Sequence, residues 1–147
     1  MADPIIIREC QLNDIDSLSS LMNQLGYPTT ADEMFKRLIE IGKKQEYTCL
    51  IAEQNQQMAG MIGFHQAWSY HDNGCHVRIN ALVTDGNHRG KGIAALLIRQ
   101  AEQCAIRMKA QYLLVNCGNR EERMNAHRFY QHHGFVPRTT GYAKKLI

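Results

Sequence analysis

The chain predicts one mixed α/β domain, and three observations carry that expectation. Runs of β-branched and apolar residues alternate with segments of helical period. A strand, a glycine turn, a long helix and a second strand follow one another between residues 75 and 117. No repeat or shift of composition interrupts the 147 residues, so residues 1–147 read as a single domain large enough to bury a core.

Each element follows from local pattern. Three β-branched residues open IIIREC, which fits a pleated surface and predicts the first strand. Ile15, Leu18, Leu21, Met22 and Leu25 fall at helical spacing, with Asn13 or Asp14 to cap the helix and Gly26 to stop it. Thr30 and Glu33 form a capping box for a second helix with Met34, Leu38 and Ile41 on its apolar face, ending at Gly42. YTCLIAEQ and QMAGMIGFHQAW, joined at Asn55, read as a hairpin, and CHVRINALVTD extends it to an antiparallel meander. After the glycine turn a helix places Ile93, Leu96, Leu97, Ala101, Cys104, Ala105 and Met108 on one face. QYLLVNC should then lie parallel to the strand before that helix. A last helix over residues 121–133 stops at Gly134, and short strands at FVP and GYAKKL finish the chain. The expected architecture is a mixed, mostly antiparallel central sheet of six to seven strands flanked by about four helices. Its chain order is strand, two helices, three strands, helix, strand, helix and two strands.

Composition removes several classes of function. A net charge of +3 without a dense Lys/Arg run offers no nucleic-acid surface. Cys10, Cys49, Cys75, Cys104 and Cys117 are scattered with no CxxC pair, against both a disulfide framework and a zinc ribbon. Asp3 stands where a secretory leader needs positive charge, and no apolar run reaches membrane-spanning length. A cytoplasmic protein with no nucleic-acid or membrane partner is expected.

The turn before the long helix is the chemical feature. Gly90 and Gly92 precede the first apolar residues of the helix, so unpaired backbone N–H groups and the positive end of the helix dipole face the turn. Arg89 and Lys91 add positive charge, and the missing side chains let an anion approach the backbone. A P-loop fails on spacing, since only three residues separate Gly86 from Gly90, and Gly92 replaces its Ser or Thr. A dinucleotide fingerprint is formally met by Gly90, Gly92 and Ala95. The following strand, however, ends in Asn116 and Cys117 where an acidic residue should hold the ribose.

RGKGIA, Arg89 to Ala94, resembles the Q/R-x-x-G-x-G/A loop of the GCN5-related N-acetyltransferases. The strand before it, Leu82, Val83, Thr84, Asp85, resembles the strand of that family, with Gly86 in place of the usual proline. AHRFYQHHGF, Ala126 to Phe135, is similar to the A-x-x-x-Y-x-x-x-G-F segment, and Arg123 replaces the asparagine of many members. That variant is found in a subset similar to aminoalkylphosphonate acetyltransferases.

The resemblance implies an enzyme using acetyl-CoA as co-substrate. Its pyrophosphate would sit on the N–H groups of Arg89, Gly90, Lys91, Gly92, Ile93 and Ala94, and its pantetheine arm along Leu82, Val83 and Thr84. A bulge in that strand would admit the arm, and an N–H near Leu82 or Val83 would stabilise the oxyanion. Transfer would be direct to a primary amine, with a small-molecule acceptor favoured and Tyr130 as general acid toward the departing thiolate. His127, one turn from Tyr130, would orient it or line the pocket. His65, His71 and His76, with Asp72, fall where the substrate approaches; they are candidates for the base, but their spacing matches no metal motif and no metal is expected. Asn80, Arg78 and Trp68 are candidate acceptor contacts. The alternatives are a protein lysine or N-terminal amine as acceptor, and a non-catalytic acyl-CoA or dinucleotide-binding module. Many such domains dimerise, which leaves a homodimer open.

Overall fold

The computed structural model describes residues 3–116, 124–138 and 141–147. Strand β1 (Ile5–Glu9) pairs antiparallel with β2 (Tyr47–Gln54), β2 with β3 (Gln57–Trp68), and β3 with β4 (Cys75–Thr84). The β2–β3 hairpin turns through Asn55 and Gln56, both at positive φ (54° and 61°), as a tight two-residue hairpin turn requires. Among the described residues the sheet ends in β5 (Leu113–Val115), giving five strands in the order β1-β2-β3-β4-β5. Approaching β5, Gln111 N–H donates to the Cys75 carbonyl and Tyr112 O accepts from Val77 N–H, so the two chains advance together in the parallel sense.

The described residues form four helices: α1 (Ile15–Leu25), α2 (Ala31–Gly42), α3 (Ile93–Arg107) and α4 (Met124–His132). The Thr30–Glu33 capping box forms, and Gly26 closes α1 at φ 103°. Asp14 stands at the N-cap of α1 but makes no side-chain cap bond. Its carboxylate instead takes both guanidinium N–H groups of Arg8, at 2.8 and 2.9 Å, and the Gln11 N–H at 2.8 Å. Arg8 Nε also donates to Glu53 at 2.6 Å, so one cation ties β1, β2 and the start of α1 together.

The chain divides into two compact units, Met1–Leu114 and Val115–Ile147. In the first, strand alternation sorts the core. Ile51, Met61 and Val83 cluster with Leu18, Leu21 and Met34 of α1 and α2. The alternate positions, including the fully buried Ile62, Phe64 and Val77, lie on the face that packs α3 through Ile93 and Leu97. Each such aliphatic burial stabilises the layer by about 2 kcal/mol. Between Gly63 and Phe64 the register slips, so that Gly63 faces Ala81 but Phe64 faces Ile79, and Asn80 is the extra residue of a bulge in β4.

The second unit holds α4, whose Tyr130 and Phe135 rings meet edge to face at 5.6 Å, with Gly134 ending the turn at φ 90°. Here the expectation of six to seven strands, and the order that ran on to two final strands, is corrected. Among the described residues 135–138 and 141–147 form no strand. Pro137 cannot donate to a ladder, and Val136, Tyr142 and Leu146 stay exposed, so these segments lack the alternating burial that would hold a strand. The first residues of the expected last helix, 121–123, lie outside the described residues. No helix among the described residues is long and apolar enough to cross a membrane.

Candidate functional site

The turn between β4 and α3 has the geometry that its glycines suggested. Gly90 and Gly92 hold φ of 79° and 76°, the left-handed region where a side chain is strained, and a Cβ at either would meet nothing within 4 Å. The concave side of the turn is therefore open and lined by backbone. The first bond of α3 runs from Leu96 N–H to the Gly92 carbonyl at 3.1 Å, so the N–H groups of Ile93, Ala94 and Ala95 precede it and form the positive end of the helix. Arg89 is exposed beside the turn, and Lys91 Nζ lies 3.3 Å from Gln54 Oε1. This donor set, open backbone with two cations at a helix N-terminus, fits a pyrophosphate. A polar cavity of ≈ 380 Å³ opens on the β2–β3 side of the same turn, lined in part by Gln54, Asn55, Asn87, His88 and Lys91.

Asp85 organises the approach to the turn. Its carboxylate accepts from Gln24 Nε2 of α1 at 3.0 Å, from the Asn87 N–H at 3.1 Å, and pairs with the buried His88 ring at 2.9 Å. The Gln24 amide, then the His88 contact, hold this carboxyl below its ordinary range. Gln24 Oε1 in turn accepts the Gly86 N–H at 2.8 Å. A proline at 86, usual in the resembling family, has no N–H to give, so glycine and Gln24 form a matched pair.

Sequence reasoning missed Gly60. A Cβ there would come within 2.8 Å of the Val83 carbonyl and 2.9 Å of Ile93 Cγ2. Only glycine lets the start of α3 sit this close to β3 and β4. The signal was present as a glycine inside a strand. Of the expected cofactor contacts on β4, Val83 is buried against the α1 side, while Leu82 and Thr84 are partly exposed.

Beyond the cover of α1 and α2, the same face of the sheet carries a polar row. Tyr47 of β2 faces His65 of β3, which faces Arg78 of β4. The Tyr47 and His65 rings stack at 4.7 Å and 17°, and His65 Nδ1 lies 3.1 Å from Asn80 Oδ1. His76 shares this face; burial, then the nearby Arg78, push its pKa down. Trp68 does not join them, since alternation places it with Gln66 and Cys75 on the other face. His71 is paired with Asp72 at 3.6 Å in the exposed loop. Among the described residues no three His, Cys, Asp or Glu side chains come together as a metal site.

Tyr130 is buried on α4, with edge-to-face contacts to Phe129 and Phe135, and His127 lies on the same helix. Arg123 and Cys117 lie outside the described residues.

Three comparisons bear on this arrangement. The family model described as Acetyltransferase (GNAT) family matches residues 14–135. No curated protein matches the chain. Among solved structures, a GNAT family acetyltransferase of Staphylococcus aureus is 28% identical, with 99% of this chain and 100% of that one covered and a TM-score of 0.81. Glucosamine-6-phosphate N-acetyltransferase of Arabidopsis thaliana is 18% identical over 99% and 100% of the two chains, TM-score 0.80. Ribosomal-protein-alanine N-acetyltransferase of Brucella melitensis is 17% identical over 97% and 99%, TM-score 0.79. The last two are similar in fold alone.

Proposed function

The chain belongs to the acetyltransferase (GNAT) family, and on that premise we propose that it moves the acetyl group of acetyl-CoA directly to the primary amine of a small-molecule acceptor. The observation that carries the proposal is the open glycine turn at the N-terminus of α3. The N–H groups of Gly90, Lys91, Gly92, Ile93 and Ala94 hold the pyrophosphate, and Arg89 and Lys91 add side-chain charge, Lys91 exchanging its neutral partner Gln54 for the anion. The main chain of Leu82, Val83 and Thr84 carries the pantetheine arm. Bound there, acetyl-CoA supplies a thioester carbonyl open to an uncharged amine. The Tyr130 hydroxyl gives a proton to the departing sulfur.

The family match spans residues in both compact units, which supports one N-acetyltransferase domain over residues 1–147. The partly exposed Arg78 and His76 on this sheet face favour an acceptor with an acid group beside its amine, in keeping with the aminoalkylphosphonate-like variant of the AHRFY segment. Four free cysteines among the described residues go with a cytoplasmic setting. A homodimer is the assembly we would test first.

The test is thiol release from acetyl-CoA in the presence of aminoethylphosphonate, an aminoglycoside or a lysine-containing peptide. Turnover with a small amine and none with the peptide supports the proposal. The reverse pattern assigns the acceptor to proteins, and no release with any amine contradicts the transfer.

A further inference from the structure

We propose that His65 is the general base that takes a proton from the acceptor's ammonium group, with Asn80 and Tyr47 as the residues that position its ring; this rests on the acetyl-CoA reading above.

Three features single it out. The first is tautomer. The Asn80 side-chain oxygen, 3.1 Å from His65 Nδ1, accepts a hydrogen bond and so places the ring proton on Nδ1. The basic lone pair then belongs to Nε2. Second, the ring is held flat by stacking on Tyr47 at 4.7 Å, so it has one orientation instead of a range of them. The third is position. Asn80 is the bulged residue of β4, so the side chain that fixes His65 comes from the break in β3–β4 pairing. Thr84 to Asn80 is four residues, about 13 Å of strand. An arm that starts at the glycine turn and follows β4 backwards brings its far end to that break, one strand from His65.

The other histidines of the first unit are less suited. His88 is buried and committed to Asp85 at 2.9 Å. The His71 side chain is 83% exposed in the loop. His76 Nδ1 lies 3.5 Å from the rotatable hydroxyl of Ser69, and its ring stacks on no aromatic ring among the described residues. The charged and titratable groups set against His65 by register and electrostatics are Tyr47 from β2, and Arg78 and His76 from β4.

The step balances. An N–H bond of the ammonium breaks and its proton moves to Nε2. The freed nitrogen lone pair forms the new N–C bond, and the C–S bond breaks with its electron pair on sulfur. The departing thiolate takes the Tyr130 proton, and the second proton lost by the amide nitrogen restores that hydroxyl. The imidazolium returns its proton to solvent.

The experiment uses two nucleophiles and the full chain loaded with acetyl-CoA at neutral pH. Aminoethylphosphonate must lose a proton before attack, whereas hydroxylamine is already uncharged. For His65→Gln we expect kcat/KM with aminoethylphosphonate to fall about 100-fold, enzymic release with hydroxylamine to stay within about threefold, and acetyl-CoA affinity to be unchanged. Equal losses with both nucleophiles, or no loss, would overturn the assignment. If wild type accelerates neither nucleophile, nor release with an aminoglycoside, the small-amine reading fails and the base falls with it, which is distinct from a His65→Gln variant that stays fully active. Nitrogen-15 NMR of the imidazole adds a readout independent of turnover. The Nδ1–H tautomer, lost in Asn80→Leu, supports the proposal, and an Nε2–H tautomer in wild type contradicts it.

Discussion

Gln24 and Asp85 stand 61 residues apart and hold each other at 3.0 Å, and the same Gln24 amide accepts the Gly86 N–H at 2.8 Å. One side chain of α1 thus fixes the exit of β4 on both sides of a peptide unit. Gln24→Leu removes both bonds and should cost about 1 kcal/mol of stability. Because the turn that follows is set by Asp85, acetyl-CoA affinity should fall about fivefold. Unchanged affinity on calorimetric titration of the folded variant would separate the α1 contact from the turn.

Two carboxyls give the protein an acid limit. Hydrogen bonds from Arg8 hold Asp14 below its ordinary range, and Gln24 and His88 do the same for Asp85. A carboxyl that titrates lower in the folded than in the unfolded state contributes stability above its unfolded value near 4, and that contribution is lost as pH falls through the lowered folded value. Denaturant unfolding should show stability falling from about pH 5 downward. Asp14→Asn should flatten part of that slope and cost about 2 kcal/mol at neutral pH. An unaltered slope in the variant would remove Asp14 from the account.

Gly60→Ala tests the close approach of β3, β4 and the start of α3. The new methyl would lie 2.8 Å from backbone at Val83 and 2.9 Å from Ile93, so something must shift. Destabilisation of about 2 kcal/mol is expected, measured by denaturant midpoint. A neutral substitution would mean that the helix can move away freely.

Tyr130→Phe preserves the edge-to-face contacts with Phe129 and Phe135 and removes only the hydroxyl. If that hydroxyl gives the proton, turnover falls about 100-fold while acetyl-CoA affinity holds. Full turnover, measured by thiol release, returns Tyr130 to a packing role.

The elements with strong local signals were legible in the sequence. Thr30 with Glu33, Gly26, Asn55 and the Gly90–Gly92 turn all act where the pattern placed them, because capping and positive φ are local properties. The contacts that shape the site were not legible, because they depend on register. Asn80 reaches the His65 face as the extra residue of a one-residue slip between Gly63 and Phe64 that no periodicity marks, and Arg78 through the register that sets it opposite His65, whereas Trp68 leaves that face by simple alternation along β3. The same holds for Cys10 and Cys49, apparently scattered, whose backbones meet at 3.0 Å from Cys10 N–H to the Cys49 carbonyl. The strands expected at FVP and GYAKKL failed because short apolar runs carry no information about a partner.

The most direct test is calorimetric titration of the wild type and Gly92→Val with acetyl-CoA, CoA and NADH. The open turn predicts micromolar binding of both CoA species by the wild type, none of NADH, and at least a tenfold loss in the folded variant, where a branched side chain both strains φ 76° and fills the cradle. Binding of NADH alone, or a Gly92→Val variant that binds acetyl-CoA as tightly as the wild type, would contradict the assignment of the turn.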